Sequence, residues 1–182
     1  VSIIVGGVYP TYHWKQILED DPQIDVVVCG EGEETSLHLM NALANQETLT
    51  DIQGIAFRKE GKAHRTKPAT TIKNLDQYRV GWELMEPYHY SYWGRKKAVV
   101  VQFSRGCPYP CNYCGQSLFW RKWRHRNPQK FAKELAMLHH KYGIEVVNFA
   151  DENPTTHKKV WKEFLEALIA EDVPLRLVGS TR

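Results

Sequence analysis

No stretch of the 182 residues approaches the roughly 18 consecutive apolar residues that a membrane-spanning helix needs. Nor does a basic segment followed by an apolar one mark a secretion signal. No membrane span is expected, and the cytoplasm is the expected compartment. Charge of one sign is also short: 24 Lys and Arg against 21 Asp and Glu leave +3, too mild to point to nucleic acid or an anionic membrane surface. Cysteine is scarce, four in all, and unevenly placed. Cys107, Cys111 and Cys114 crowd together, while Cys29 stands alone in an apolar run. Without a secretion signal, such crowding favours metal ligation over a disulfide framework. Cys29 reads as a small buried hydrophobe. Internal repeats and low-complexity tracts are missing as well. The chain opens without Met inside the apolar run Val1–Val5 and stops just past another, so it is expected to be a piece of a longer protein.

What is present alternates between two periods. Residues 1–50 read as strand, helix, strand, helix. Ile3–Val5 runs into Gly6-Gly7, a helix follows around Tyr12–Glu19, and Asp25–Cys29 is a continuously apolar strand ending in Gly30-Glu31-Gly32-Glu33. Thr35 or Ser36 is the expected cap of a helix carrying Leu37, Met40 and Leu43. Continuously apolar strands between helices indicate a parallel sheet covered on both faces. Both glycine clusters sit where a strand hands over to a helix, the edge at which open α/β sheets bind ligands. Residues 51–97 read as a linker with a small hairpin near Gly54–Lys62 and an aromatic-rich stretch from Trp82 to Trp93. Residues 98–182 return to alternation, with strands at Ala98–Phe103, Ile144–Ala150 and Leu175–Val178. Asn127-Pro128 starts a helix, Asn as cap and Pro in its first turn, and Gly143 stops it. A second helix carries the wide stripe Val160, Trp161, Phe164, Leu165, Leu168 and Ile169. This order suits the opening of a (β/α) barrel.

Between the first two of these later strands lies Cys107-Pro108-Tyr109-Pro110-Cys111-Asn112-Tyr113-Cys114, spaced C-x3-C-x2-C. Three thiolates on one short loop can hold three irons of a [4Fe–4S] cube. The fourth iron is then open to a cofactor or substrate. A structural zinc site would require a fourth Cys or His; His125 is available, although the spacing matches no common zinc module.

The segment Ser104-Arg105-Gly106-Cys107 through Cys114 resembles the signature of the radical S-adenosylmethionine (SAM) enzymes. The resemblance implies a [4Fe–4S] cluster on Cys107, Cys111 and Cys114 with SAM on the fourth iron. It further implies that Tyr113 packs near the adenine and that Asp151 or Glu152 receives the ammonium group of SAM. Ser180 and Arg182 are expected to hold its carboxylate, Arg through a bidentate pair. For Asp151-Glu152-Asn153-Pro154 the competing reading is a turn and helix cap.

Gly6-Gly7-Val8-Tyr9-Pro10-Thr11 and Cys29-Gly30-Glu31-Gly32-Glu33 are similar to two loops of the cobalamin-binding domain that precedes the barrel in many radical enzymes. Gly6, Gly7, Thr11, Gly30, Glu31 and Gly32 are the implied cobalamin contacts. The implied fold is α/β: the C-terminal part of a doubly wound, Rossmann-like domain, then the first three β/α units of a radical SAM barrel.

Within that family, Gln102–Pro154 resembles the anaerobic cyclases that close the fifth ring of chlorophyll on a magnesium-porphyrin ester. The resemblance implies a porphyrin-type substrate and an electron donor such as ferredoxin or flavodoxin. Arg121, Lys122, Arg124 and Arg126, interleaved with Trp120, Trp123 and His125, read either as a solvated basic face or as a pocket wall. In the second case Trp120 and Trp123 stack on the macrocycle and Arg124 pairs with a propionate. Two alternatives stay open: methyl transfer from cobalamin to an unactivated carbon, and a zinc-stabilised module without catalysis.

Overall fold

The computed structural model describes residues 1–85, 91–92, 95–120 and 122–181. Tyr88, Tyr90 and Trp93 of the aromatic-rich stretch, together with Arg121 and Arg182, lie outside the described residues. The chain divides into two compact units, residues 1–72 and 73–182.

In the first unit, β1 (Ile4–Gly6) leads into α1 (Val8–Asp20), then β2 (Val26–Val28), α2 (Glu33–Asn45) and the hairpin β3 (Ile55–Lys59) and β4 (Lys62–Arg65). The sheet order is β1-β2-β3-β4, with β1 and β2 parallel and the remaining pairs antiparallel. Because side chains alternate along a strand, β2 feeds two cores. Val26 and Val28 pack with Leu39, Ala42, Ile55 and Phe57 on the face bearing α2. Val27 and Cys29 pack with Leu18 and Ala56 on the other, together with Trp14 and Ile17 of α1. Cys29 is buried among these apolar groups, and burial pushes its thiol up from the ordinary value, with Arg65 opposing.

Three sequence expectations change here. The hairpin assigned to a 51–97 linker is instead half of the first sheet, because Ile55, Ala56 and Phe57 pair with Val28, Val27 and Val26. The break between units accordingly falls after Ile72. α2 begins at Glu33 without a side-chain cap; Thr35 is already inside the helix, and its hydroxyl donates to the Gln53 carbonyl. One further device is not visible in the pattern of the sequence. The Arg58 guanidinium donates to the carbonyls of Leu18 (2.8 Å), Asp21 (3.3 Å) and Pro22 (2.9 Å), and also to that of Ile24. It thereby satisfies acceptors at the C-terminal end of α1 and just beyond, which the helix cannot pair itself.

In the second unit, short 3₁₀ turns at Leu75–Gln77 and Trp82–Met85 precede β5 (Ser91–Tyr92) and β6 (Lys96–Val101). Then follow β7 (Ser104–Arg105), α3 (Gln116–Phe119), β8 (Arg124–His125), α4 (Pro128–Tyr142), β9 (Val146–Phe149), α5 (Lys158–Ala170) and β10 (Arg176–Val178). The main sheet has the order β10-β9-β6-β5, and β6, β9 and β10 run parallel. Helices follow β6 and β9 as the alternation required. The start of α4 is as read from the sequence: the Asn127 side chain accepts from the Lys130 amide at 2.9 Å and Pro128 opens the helix. Its core is one cluster: Val99, Val101, Val147 and Phe149 from the sheet against Phe131, Leu135 and Leu138 of α4 and Phe164 and Leu168 of α5. Burying a side chain of this size contributes about 1.5–3 kcal/mol each. This fixes the three parallel strands so that their carboxyl ends share one edge.

Candidate functional site: a cysteine loop on the carboxyl edge of the parallel sheet

The segment leaving β6 reaches β7, loops through the cysteines and α3, and returns through β8. β7 and β8 pair antiparallel, Ser104 opposite His125 and Arg105 opposite Arg124. Everything between them is a loop closed at its base. Phe103 is fully buried in the aromatic cluster of Phe131, Phe164 and Trp161, and its carbonyl accepts from the Arg126 amide at 2.9 Å.

Gly106 closes the neck. It has φ +91°, and a Cβ there would lie 2.5 Å from the Lys122 carbonyl oxygen and 2.8 Å from that of Trp120. Only glycine allows the outgoing and returning strands to come this near in that conformation. Just beyond, the Arg105 guanidinium lies over the Trp120 ring, 5.4 Å from its centre, and its Nε donates to Gln102 at 2.8 Å.

The three cysteines sit on the loop so enclosed. Cys107, Cys111 and Cys114 are each half-buried and none of the chain's four cysteines is in a disulfide. The Cys114 amide donates to the Cys111 carbonyl at 3.1 Å, so the x2 spacing is a tight turn. Among the described residues, no three His, Cys, Asp or Glu side chains converge as the ligands of a single ion would. A cube makes a different demand, since each thiolate meets its own iron. Three undisulfided thiols on one loop are the donor set that such clusters take.

Asp151 and Glu152, expected beside the cofactor, lie directly after β9. Asp151 is 5% exposed. Its Oδ2 accepts from the Phe103 amide at 3.0 Å, and its Oδ1 accepts from the Ser104 hydroxyl at 2.6 Å and from the Ser104 amide. Burial pushes its carboxyl up to about 6, with those hydrogen bonds pulling the other way. Glu152 is half-buried, and its Oε2 accepts from the Gly106 amide at 3.3 Å. Asn153, also buried, organises the turn into α5: its side chain accepts from the Thr155 hydroxyl at 3.1 Å, and its carbonyl accepts from the Thr156 hydroxyl at 2.8 Å. The Thr155 and Thr181 hydroxyls are hydrogen-bonded, which joins the loops after β9 and β10. Ser180 is exposed beside Thr181, and Tyr113 is 86% exposed.

The tryptophans are not on a free face. Trp120 packs edge-on against Phe119 at 4.6 Å. Trp123 stacks on His157, rings 6.0 Å apart and 14° from parallel, and packs at a tilt against His125 at 5.0 Å. Its indole N–H is buried and has no hydrogen-bond partner among the described residues. Arg124 is half-buried, its Nε donating to the Lys122 carbonyl at 3.2 Å. Arg126, read with this basic run, is instead an interior ion. It donates to both oxygens of Glu134 at 3.0 and 2.5 Å and to Asp76 at 3.3 Å, with side-chain exposures of only 12–18% across the three. The Trp82 indole joins Glu134 at 3.0 Å, and the Asn127 amide donates to Asp76 at 2.7 Å. No spacing signal could have revealed the whole network, since Asp76 and Trp82 lie some fifty positions from their partners in it.

In the first unit, Thr11 links the two glycine loops: its hydroxyl donates to the Gly7 carbonyl at 2.6 Å and accepts from the Gly30 amide at 2.9 Å. Gly7 (φ +101°) and Gly30 (φ +96°) have open space where a Cβ would stand, whereas a Cβ on Gly6 would meet Val28 at 3.4 Å. Glu31 accepts from the Ile72 amide at 3.1 Å, and Gly32 precedes α2.

A three-cysteine loop held at the carboxyl edge of parallel β/α units defines a class. Residues 101–181 match the radical SAM superfamily. The chain as a whole is similar to proteins named anaerobic magnesium-protoporphyrin IX monomethyl ester cyclase. It is 54% identical to the one from Synechocystis sp. over 180 residues, 99% of this chain and 36% of that protein. It is 35% identical to the one from Rubrivivax gelatinosus, over all of this chain and 34% of that protein. The chain thus spans about a third of the length of these curated relatives. In fold it is similar to the cobalamin-dependent SAM radical enzyme OxsB, with a TM-score of 0.74 at 21% identity, covering 96% of this chain and 25% of OxsB.

Proposed function

We propose that this chain is part of a cobalamin-dependent radical SAM enzyme that cyclises magnesium-protoporphyrin IX monomethyl ester without molecular oxygen, in chlorophyll synthesis. The observation that carries this reading is the 54% identity, across 99% of the chain, to a protein named for that reaction, joined to the C-x3-C-x2-C loop. Cys107, Cys111 and Cys114 hold the [4Fe–4S] cluster. When bound, the cluster supplies one-electron reductive cleavage of SAM, and hence a radical able to take hydrogen from a substrate carbon. In this reading exposed Tyr113 lies against the adenine, and Ser180 and Arg182 hold the SAM carboxylate.

In residues 1–72, Thr11 ties the Gly6-Gly7 and Gly30-Gly32 loops into one edge, leaving backbone accessible to a large ligand such as cobalamin. In this reading Trp120, Trp123 and Arg124, which follow the cysteines in the segment between β7 and the end of β8, recognise a flat macrocycle bearing a carboxylate. The buried Trp123 N–H, without a hydrogen-bond partner among the described residues, is one donor such a ligand would satisfy. An acidic single-electron carrier of the ferredoxin or flavodoxin type is the fitting reductant, and the cytoplasm the fitting compartment.

The test uses the full-length protein, reconstituted anaerobically. Wild type takes up about four irons with a thiolate charge-transfer absorption; Cys111→Ala does not. Incubated with the porphyrin ester, SAM, cobalamin and a reductant, wild type gives a product with a new ring ketone by mass spectrometry. An added methyl group instead would select methyl transfer. One zinc and no iron would select the non-catalytic module.

A further inference from the structure

Three main-chain or side-chain donors belonging to residues just before Cys107 converge on one buried carboxylate. Asp151 Oδ1 takes the Ser104 hydroxyl and amide, and Oδ2 takes the Phe103 amide. The next carboxylate along, Glu152, takes the Gly106 amide. Of the four residues that precede the first cysteine, three are therefore gripped by the strand end of β9, some forty-six to forty-eight positions away. The returning segment passes so near Gly106 that a Cβ there would clash with the Lys122 and Trp120 carbonyls, and it is fixed at the same place by the Arg126 amide on the Phe103 carbonyl.

We infer that Asp151 is a positioning residue that latches the neck of the cysteine loop, rather than a direct ligand of SAM, with Glu152 adding a second contact to the same neck. The chemistry is that of a carboxylate as an acceptor only. Oδ1 already carries two donors, and both oxygens are enclosed with the 5%-exposed side chain, so an incoming ammonium finds no open oxygen at Asp151. What the carboxylate does instead is set the direction in which the chain enters the loop. Loop residues are mobile unless tied down, whereas three thiolates must present sulfur atoms to three irons together. Groups behind the ligands that fix their orientation commonly alter metal affinity by 10–100-fold.

This inference rests on the cluster assignment proposed above, and the experiment separates the two. Full-length wild type, Asp151→Asn, Glu152→Ala and Ser104→Ala are reconstituted anaerobically. For each, loss of the cluster absorption to an iron chelator is timed, and the electron paramagnetic resonance (EPR) spectrum of the reduced cluster is recorded with and without SAM. Asn keeps one acceptor but turns an NH₂ group towards a backbone N–H. Asp151→Asn is therefore expected to lose its cluster at least about tenfold faster than wild type, with broadened EPR lines before SAM is added. Glu152→Ala loses its cluster a few-fold faster, and Ser104→Ala, which keeps both amide contacts, stays close to wild type. Should Asp151→Asn fail to fold by circular dichroism, Glu152→Ala decides, because Glu152 is half-buried and has one contact here. Variants with wild-type cluster retention and unbroadened lines overturn the latch. In Asp151→Asn, retention unchanged but SAM affinity reduced overturns it in favour of direct contact with SAM. A wild type that takes up no iron overturns the cluster assignment and the latch together.

Discussion

Replacing Gly106 with Ala tests whether the closed neck of the loop is needed. The added Cβ would stand 2.5 Å from the Lys122 carbonyl oxygen, with the Lys122 carbonyl carbon and the Trp120 carbonyl oxygen both at 2.8 Å. All three are backbone atoms, so no rotamer change relieves the contact. A non-glycine residue at φ +91° adds roughly 1–3 kcal/mol of conformational strain. Moving β8 away from β7 also weakens a short ladder and the Gly106–Glu152 hydrogen bond, each bond about 1 kcal/mol. The total is about 3–5 kcal/mol against the closed loop. Gly115 provides the control. It lies in the same loop with φ −66°, and among the described residues nothing stands within 4 Å of the point its Cβ would occupy. Ala there is expected to be neutral within about 0.5 kcal/mol. The assay is denaturant unfolding of the two variants in the full-length protein, with iron counted after reconstitution. Gly106→Ala is expected to lose stability and bind well under half the wild-type iron, while Gly115→Ala matches wild type. Equal behaviour of the two variants would refute the reasoning.

Three further outcomes are expected. Arg126→Ala leaves Glu134 and Asp76 mostly buried without their cation and costs about 3 kcal/mol or more; adding Glu134→Gln recovers part of the loss in a double-mutant cycle of thermal unfolding. The Asp151 carboxyl is pushed up to about 6 from an ordinary 3.8, so the folded chain binds that proton more tightly than the unfolded one. This group's stabilising share is complete below about pH 4 and is lost as pH rises to about 6, by about 3 kcal/mol at 1.4 kcal/mol per pH unit. Wild type minus Asp151→Asn in metal-free unfolding against pH should show that fall, and a flat difference would contradict it. Arg58→Ala uncaps the end of α1 and should cost about 1–2 kcal/mol, with faster amide exchange confined to the last turn of that helix.

Much of the fold was legible because local chemistry agreed with it. Asn127-Pro128 and Gly143 bracket α4 as their backbone preferences require, and the stripe through Phe164 and Leu168 faces the core that its spacing implied. The apolar runs at Val26–Val28 and Val146–Phe149 are buried strands. The hairpin was visible but its allegiance was not. Nothing in Ile55–Lys59 says that it pairs with β2 rather than standing in a linker, since strand partners are chosen by long-range packing.

For the site, spacing alone put Cys107, Cys111 and Cys114 on one loop, because ligands a few positions apart stay together whatever the rest of the chain does. It also brought Asp151 and Glu152 to the carboxyl edge of the sheet, since a residue that follows a parallel strand has nowhere else to go. What those carboxylates face was decided only by tertiary structure. Register between β6 and β9 sets Asp151 against the amides of Phe103 and Ser104, and burial, not composition, raises its pKa. The same holds for Arg126, which the sequence grouped with neighbouring basic residues and the fold turned inward onto Glu134 and Asp76. Charge and spacing are properties of the chain, but partnership is a property of distance in space, and residues some fifty positions apart acquire that only when the core has closed.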